Sequence, residues 1–230
     1  MKVMLLAAGK GTRMRELTQV TPKPLLRAGG HALIEHQIFK LRAAGFCDLV
    51  INHAWLGAQL EAALGDGAAY GVRIAWSREG EPLETAGGIA RALPLLGHAP
   101  FLVVNADIWT DFDFSLLNGA LGALDHAHLV LVNNPPQHPG GDFGLSVQGR
   151  LTLRPTAPAP AYTYSGIGVF RPALFTDLPR ATYPLLPILE QCIKIGSASA
   201  RLHHGEWQDI GTPERLAALD ARLSERDERG

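Results

Sequence analysis

Apolar, β-branched runs alternate along this chain with stretches of helical periodicity, the pattern of a mostly parallel sheet covered by helices. Lys2 to Ala7 predicts the first strand. Leu33, Ile34, Ile38 and Leu41 recur at helical spacing before Gly45, and Asp48 to Asn52 predicts the second strand, which completes a βαβ unit. A short helix over Gln59 to Leu64, a strand over Val72 to Ser77, a helix over Gly88 to Leu96 and a fully buried strand over Phe101 to Asn105 follow. After a strand over Leu129 to Asn133 the pattern changes. Gly141-Asp-Phe-Gly144, alternation to Val147, a turn at Gly149 and Leu151 to Arg154 together predict a small β-hairpin inserted into the α/β frame. Pro155 to Ala161 carries three prolines and reads as a rigid exposed loop. Tyr162 to Phe170 returns to strand, Leu185 to Ile195 to helix and Arg201 to His204 to strand. The last helix has Thr212 as N-cap, Pro213 at its first position and Glu214 in its first turn, and its polar end, Ser224 to Gly230, is expected to fray.

Composition narrows the possibilities. The 230 residues, 47% of them hydrophobic, suit a single domain, residues 1–230, with a sizeable core. With 21 basic residues against 22 acidic ones and no basic stripe, nucleic acid is not an expected partner. The longest apolar runs fall far short of a bilayer span, and no secretory leader pattern opens the chain, so a cytoplasmic location is expected. Cys47 and Cys192 read as ordinary thiols rather than a disulfide or zinc site. His203 and His204 are neighbours on a strand and point to opposite faces, which rules them out as joint ligands of one metal. Tyr162 and Tyr164 share a face and are expected to pack. Trp55, Trp76, Trp109 and Trp207 are expected to fill the core or line pockets without taking part in chemistry.

The most informative segment is Leu6-Ala-Ala-Gly-Lys-Gly-Thr-Arg-Met14, directly after the first strand. Small residues at 7, 8, 9 and 11 let backbone N–H groups close on a phosphate, and Lys10 and Arg13 add positive charge. It is neither of the common phosphate motifs. Met14 stands where the dinucleotide fingerprint has its third glycine, and the Gly-Lys-Ser/Thr order of a P-loop is missing. Nine residues on, Lys23 lies between Pro22 and Pro24, whose fixed backbones aim a compact cation. Asp107 falls just past the end of a strand, where open α/β sheets collect ligands, and Asp209 lies between a strand and a helix.

These residues resemble the nucleoside-diphosphate-sugar pyrophosphorylases. The family's opening motif stands at 6–14, 17–18 and 22–25, and the resemblance runs on through Gly80 to Gly88, Asn105-Ala-Asp107, Ser165-Gly166 and Trp207 to Thr212. Within the family, Ile51 to Gly57, Glu79 to Gly88 and Gly141 to Gly144 are similar to the branch that acts on N-acetylmuramic acid 1-phosphate in peptidoglycan recycling. Alanine stands at 106 and 86 where relatives often have glycine; both are small, so backbone access is expected to be kept, with a tighter metal or base pocket as the alternative.

The resemblance implies a Rossmann-like fold of the nucleotide-diphospho-sugar transferase type and transfer of a nucleotidyl group to a sugar 1-phosphate. UTP is the expected donor and N-acetylmuramic acid 1-phosphate the acceptor. Other pairings of this class, such as glucose 1-phosphate with dTTP or mannose 1-phosphate with GTP, and a non-catalytic nucleotide-sugar sensor are the alternatives. It also implies Mg²⁺ held by Asp107 and Asp209, with Arg13 on the triphosphate and Lys23 on the α-phosphate. Ala7, Ala8, Gly9, Gly11, Thr12, Gly87 and Gly88 are then expected around the nucleotide, and Asn105 at the ribose or sugar. Asn52, Glu84, Asp142, Ser165 and Gly166 are expected on the sugar side. Arg27, His53 and Arg154 are the candidate donors for the lactyl carboxylate that sets muramic acid apart.

Overall fold

The computed structural model describes residues 1–155, 160–179 and 181–227. From the N-terminus, β1 (Val3–Leu6) leads through the glycine-rich loop to α1 (Leu17–Val20), then to a small ribbon of β2 (Arg27–Ala28) and β3 (His31–Ala32), α2 (Leu33–Ala43), β4 (Asp48–His53), α3 (Gly57–Leu64) and β5 (Arg73–Arg78). Next come α4 (Glu84–Leu96), β6 (Phe101–Asn105), β7 (Ile108–Thr110), β8 (Ala127–Val132) and a hairpin of β9 (Phe143–Leu145) and β10 (Leu151–Leu153). The chain continues with β11 (Thr163–Phe170), α5 (Leu186–Lys194), β12 (Ala198–His203), β13 (Trp207–Asp209) and α6 (Pro213–Asp227).

Seven strands form the central sheet in the order β12-β8-β11-β6-β1-β4-β5. Every pairing is parallel except those of β11, which runs antiparallel to both β6 and β8. Strand alternation divides the core: Val3 and Leu5 point to the face covered by Ile38 and Leu41 of α2, Met4 to the face covered by Ile89 of α4 and Leu189 of α5. A third cluster, Met14, Leu26, Leu33, Trp109, Ile210 and Leu219, fastens α6 over the glycine-rich loop and the β2–β3 ribbon. Met14, the residue that breaks the dinucleotide fingerprint, is a buried plug there.

Two sequence expectations are corrected. The helix predicted from Gly88 begins at Glu84, because Gly87 and Gly88 are not breakers but close-packing points: a Cβ on Gly87 would lie 2.3 Å from the Ala181 carbonyl oxygen. The last helix runs to Asp227, and the remainder of the end expected to fray, 228–230, lies outside the described residues. Ala106 and Ala86 are fully buried in the two sheet-covering clusters, so their methyl groups belong to the core rather than to a tightened pocket. The proline-rich loop expected over Pro155 to Ala161 lies largely outside the described residues, which omit 156–159. Among the described residues no helix is long and apolar enough to cross a membrane.

The hairpin is tied to the sheet by a buried polar cluster. Ser199 Oγ donates to Asp125 Oδ2 at 2.8 Å, Arg150 Nη1 donates to Asp125 Oδ1 at 2.8 Å, and His128 Nδ1 lies 2.9 Å from Ser199 Oγ. With the serine proton spent on Asp125, His128 donates from Nδ1, and its buried Nε2 has no partner among the described residues. Burial and the Arg201 charge push this imidazole down to about 4, against the pull of Asp125. The folded state therefore holds the neutral ring while the unfolded chain binds a proton near the ordinary value of 6.5. Stability is present above pH 6.5 and is lost as pH falls from there toward about 4. Urea unfolding at stepped pH should show this slope, and His128→Asn, which cannot ionise and whose amide Nδ2 can take the place of the ring Nδ1 as donor, should flatten it.

Candidate active site

The loop after β1 has to hold its backbone N–H groups open toward a ligand without collapsing, and buried polar side chains fix it from below. Asn52, at 2% exposure in β4, accepts from the Ala7 N–H through Oδ1 at 2.8 Å and donates through Nδ2 to Glu79 Oε1 at 2.6 Å. Glu79 Oε2 in turn accepts from the Leu83 N–H at the start of α4, and burial raises this carboxyl above its ordinary range despite those bonds. Gly88 passes so close that a Cβ would sit 2.6 Å from Glu79 Oε1. Gly11 takes φ +63°, and a Cβ there would meet Lys23 Cβ at 3.1 Å, so glycine lets the loop lie on the lysine.

Lys23 opens a tight turn, Lys23–Leu25, after Pro22. Its side chain is 7% exposed, and Nζ donates to Asp107 Oδ2 at 2.5 Å. Asp107 follows β6 and accepts through its carbonyl from the Ile210 N–H at 3.0 Å, which places β13 beside it. Asp209, the last residue of β13, pairs in register with Ile108; Arg215 Nη1 donates to its Oδ2 at 2.7 Å, and Arg13 Nη1 stands 3.7 Å away. Lys10 is turned outward to Glu81 at 3.4 Å.

Two adjoining compartments share Arg13 and Asp107. The first, about 260 Å³, is walled by Ala7, Gly9, Gly11, Thr12 and Lys23. The second, about 380 Å³, is walled by Asn105, Asp209, Trp207, Gln137, His138 and the Thr163–Gly166 stretch. Ser165 and Gly166 form a bulge in β11 where the pairing with β8 shifts register. The Ser165 hydroxyl donates to the Val130 carbonyl at 2.7 Å and its own carbonyl accepts from Trp207 Nε1 at 2.9 Å, so this serine shapes the wall with its backbone. A larger cavity of about 470 Å³ beside α5, lined by Leu174, Ile188 and Cys192, shares no residue with either compartment and holds none of the motif side chains.

The structure thus brings together Ala7, Gly9, Gly11, Thr12, Arg13, Lys23, Asn105, Asp107, Ser165, Gly166 and Asp209, with Ala8 buried beside the loop. Other candidates stand elsewhere. Asn52 lies beneath the loop with both amide atoms bonded to protein. Glu84 is exposed at the start of α4 with φ +58°, and Gly87 gives its N–H to the Tyr183 carbonyl at 3.1 Å. Asp142 reaches the cleft only through His138, whose Nε2 is 2.9 Å from its Oδ1. Of the three candidate carboxylate donors, Arg27 bonds the Gly30 carbonyl, His53 pairs with Glu61 at 2.6 Å, and Arg154 lies against Gly140. His138 and Gln137 were missed, since no motif marks them; the only signal was the four-residue spacing from His138 to Asp142.

Among the described residues no three His, Cys, Asp or Glu side chains gather as a metal site. Two carboxylates bordering one compartment, Asp107 and Asp209, are nevertheless the donor set that magnesium takes when substrate phosphates and water complete its shell.

Residues 2–226 match the nucleotidyl transferase family. The chain belongs to that family. Among curated nucleotidyl transferases, an N-acetylmuramate alpha-1-phosphate uridylyltransferase from Neisseria meningitidis is 49% identical, covering 96% of this chain and 97% of its own. One of the same name from Caulobacter vibrioides is 34% identical, covering 96% of each. A putative glucose-1-phosphate thymidylyltransferase from Bacillus anthracis, solved with sucrose, superposes with a TM-score of 0.85 at 22% identity, over 97% of this chain and 95% of its own, and so shares the fold.

Cutting the brace under the loop should loosen phosphate binding before it touches chemistry. Asn52→Ala leaves the Ala7 N–H and Glu79 with unmet bonds, and we expect a stability loss of about 1–3 kcal/mol with a raised KM for the nucleoside triphosphate. Urea unfolding and initial rates on one preparation measure both. Lys23→Met should instead lower kcat by about a hundredfold or more, the scale of losing one preorganised charge contact.

Proposed function

We propose that this nucleotidyl transferase moves a uridylyl group from UTP to N-acetylmuramic acid 1-phosphate, giving UDP-N-acetylmuramic acid and pyrophosphate. The reaction would return cell-wall sugar to use within the cytoplasm, through one catalytic domain spanning residues 1–230. The observation that carries the reading is that both compartments border Asp107, whose carboxylate accepts from the buried Lys23 ammonium of the first, so donor and acceptor phosphates can converge beside one ion pair. The near full-length likeness to the muramate relatives supports the choice of base and sugar.

In the reaction an oxygen of the sugar 1-phosphate attacks the α-phosphorus, the new P–O bond forms in line, and the bond to the β-phosphate breaks with its electron pair leaving on pyrophosphate. Such a transfer needs positioning and charge neutralisation more than covalent help from the protein. The 7–12 backbone cradles the triphosphate, Arg13 neutralises its outer phosphates, and Lys23 meets the α-phosphate and the incoming phosphate between the two compartments. Asp107 and Asp209 would hold Mg²⁺, which when bound supplies further neutralisation of the converging phosphates. Asn105, Ser165 and Gly166 border the acceptor.

Pyrophosphate release across a panel of UTP, dTTP and GTP with N-acetylmuramic acid, N-acetylglucosamine, glucose and mannose 1-phosphates tests the assignment. UTP with the muramic acid ester should turn over best, and a better rate with any other pair would refute it. EDTA should abolish turnover and magnesium restore it, while Asp107→Asn and Asp209→Asn should each lose most of kcat. Parent-level rates in either variant at saturating magnesium would remove that residue from the metal.

A further inference from the structure

The acceptor compartment is asymmetric in charge. One end carries Asp107 and Asp209 with Arg13, and at the other the only side chain able to become cationic among the lining residues is His138. An acceptor that carries a second negative charge away from its phosphate needs a partner at that other end.

His138 is presented with unusual care for a side chain that remains 44% exposed. It sits on the stretch between β8 and β9, where Pro135, Pro136 and Pro139 limit the backbone. Its own N–H donates to the Pro135 carbonyl at 2.9 Å, and its carbonyl accepts from the Gly141 N–H at 3.3 Å. Asn134 pins the stretch from within: its Nδ2 donates to the Pro139 and Ala161 carbonyls at 3.1 and 3.0 Å, and its Oδ1 accepts from Thr163 Oγ1 at 2.9 Å. The ring is backed by Asp142, 2.9 Å from Nε2, and Asp142 is itself fixed by the Tyr164 N–H at 2.8 Å on its other oxygen. With Nε2 committed to Asp142, Nδ1 is the ring nitrogen left for a ligand.

We propose that His138 reads the lactyl carboxylate of N-acetylmuramic acid 1-phosphate and so determines sugar specificity. This rests on the muramate reading above. When the acceptor binds, the ring faces Asp142 with Nε2 and meets the lactyl carboxylate with Nδ1. N-acetylglucosamine 1-phosphate lacks that group and gains nothing from the contact. Arg154, whose guanidinium lies beside Gly140 two residues after His138, does not line the compartment and serves as the control.

The test is kcat/KM with UTP for the muramic acid and N-acetylglucosamine esters, measured for the parent, His138→Ala, His138→Gln and Arg154→Ala, each checked for an unchanged melting temperature. His138→Ala should lower the muramic acid value about ten- to a hundredfold, the worth of one hydrogen bond to a charged group, mostly through KM, and leave the other sugar within about twofold. His138→Gln, which keeps a neutral donor, should fall between, and Arg154→Ala should keep the parent ratio. The inference is overturned if both His138 variants hold the parent ratio, if both sugars fall together, or if Arg154→Ala alone collapses the ratio. A parent ratio near one fails differently: it removes the muramate reading and this inference with it.

Discussion

Burying an ammonium is tolerable only where an anion and further hydrogen-bond partners replace the water it gives up, and Lys23 is such an ammonium, with Asp107 at 2.5 Å and almost no solvent of its own. That requirement explains the neighbourhood. Prolines on both sides hold the lysine backbone still, Gly11 lets the loop lie against its methylenes, and β6 delivers the aspartate from the opposite wall. Asp107 occupies one donor of an ammonium that lines the first compartment, so a phosphate oxygen placed there could meet another. The affinity of the site for anions and the arrangement of its walls follow from the same electrostatic deficit.

The acidic end is balanced in a different way. Asp209 is answered by Arg215 from α6 and, at longer range, by Arg13 from the loop, so each carboxylate has a cation of its own. Charges paired at rest in this manner can exchange partners as substrate and metal arrive without leaving any group uncompensated. The Asn52–Glu79 pair below the loop is of another kind: it ties the loop after β1, β4 and the start of α4 into one support.

The sheet was legible in the sequence because buried strands announce themselves as β-branched runs, and the phosphate loop because only small residues permit such close backbone approach. Lys23 stood out between its two prolines and Asp107 and Asp209 beside strand ends, and the fold brings all three to one cleft. What escaped depended on contacts distant in sequence. Gly87 and Gly88 look like helix breakers until the 181–183 segment and Glu79 are seen pressed against them. Asn52 reads as a ligand-binding amide, yet its partners are Ala7 and Glu79, one on each side of it along the chain. Ser165 has a hydroxyl suited to a sugar and spends it on Val130. His138 carries no motif at all, and its importance comes from a braced turn and a carboxylate four residues on. A residue's type can be read locally, whereas its free hydrogen-bonding capacity is settled only by the fold.

Met14, at the end of the phosphate loop, is floored by Ile210 and by Leu219 of α6, while the Gly29 N–H donates to Asp220 of the same helix. Translation delivers the glycine-rich loop near the start and this helix after every other element of the cleft. Until α6 has left the ribosome, the cluster around Met14 and Trp109 lacks Leu219 and Asp209 lacks Arg215. The cleft is therefore closed by the segment made last among its parts, and a nascent chain holds no assembled cleft before its synthesis has passed that point.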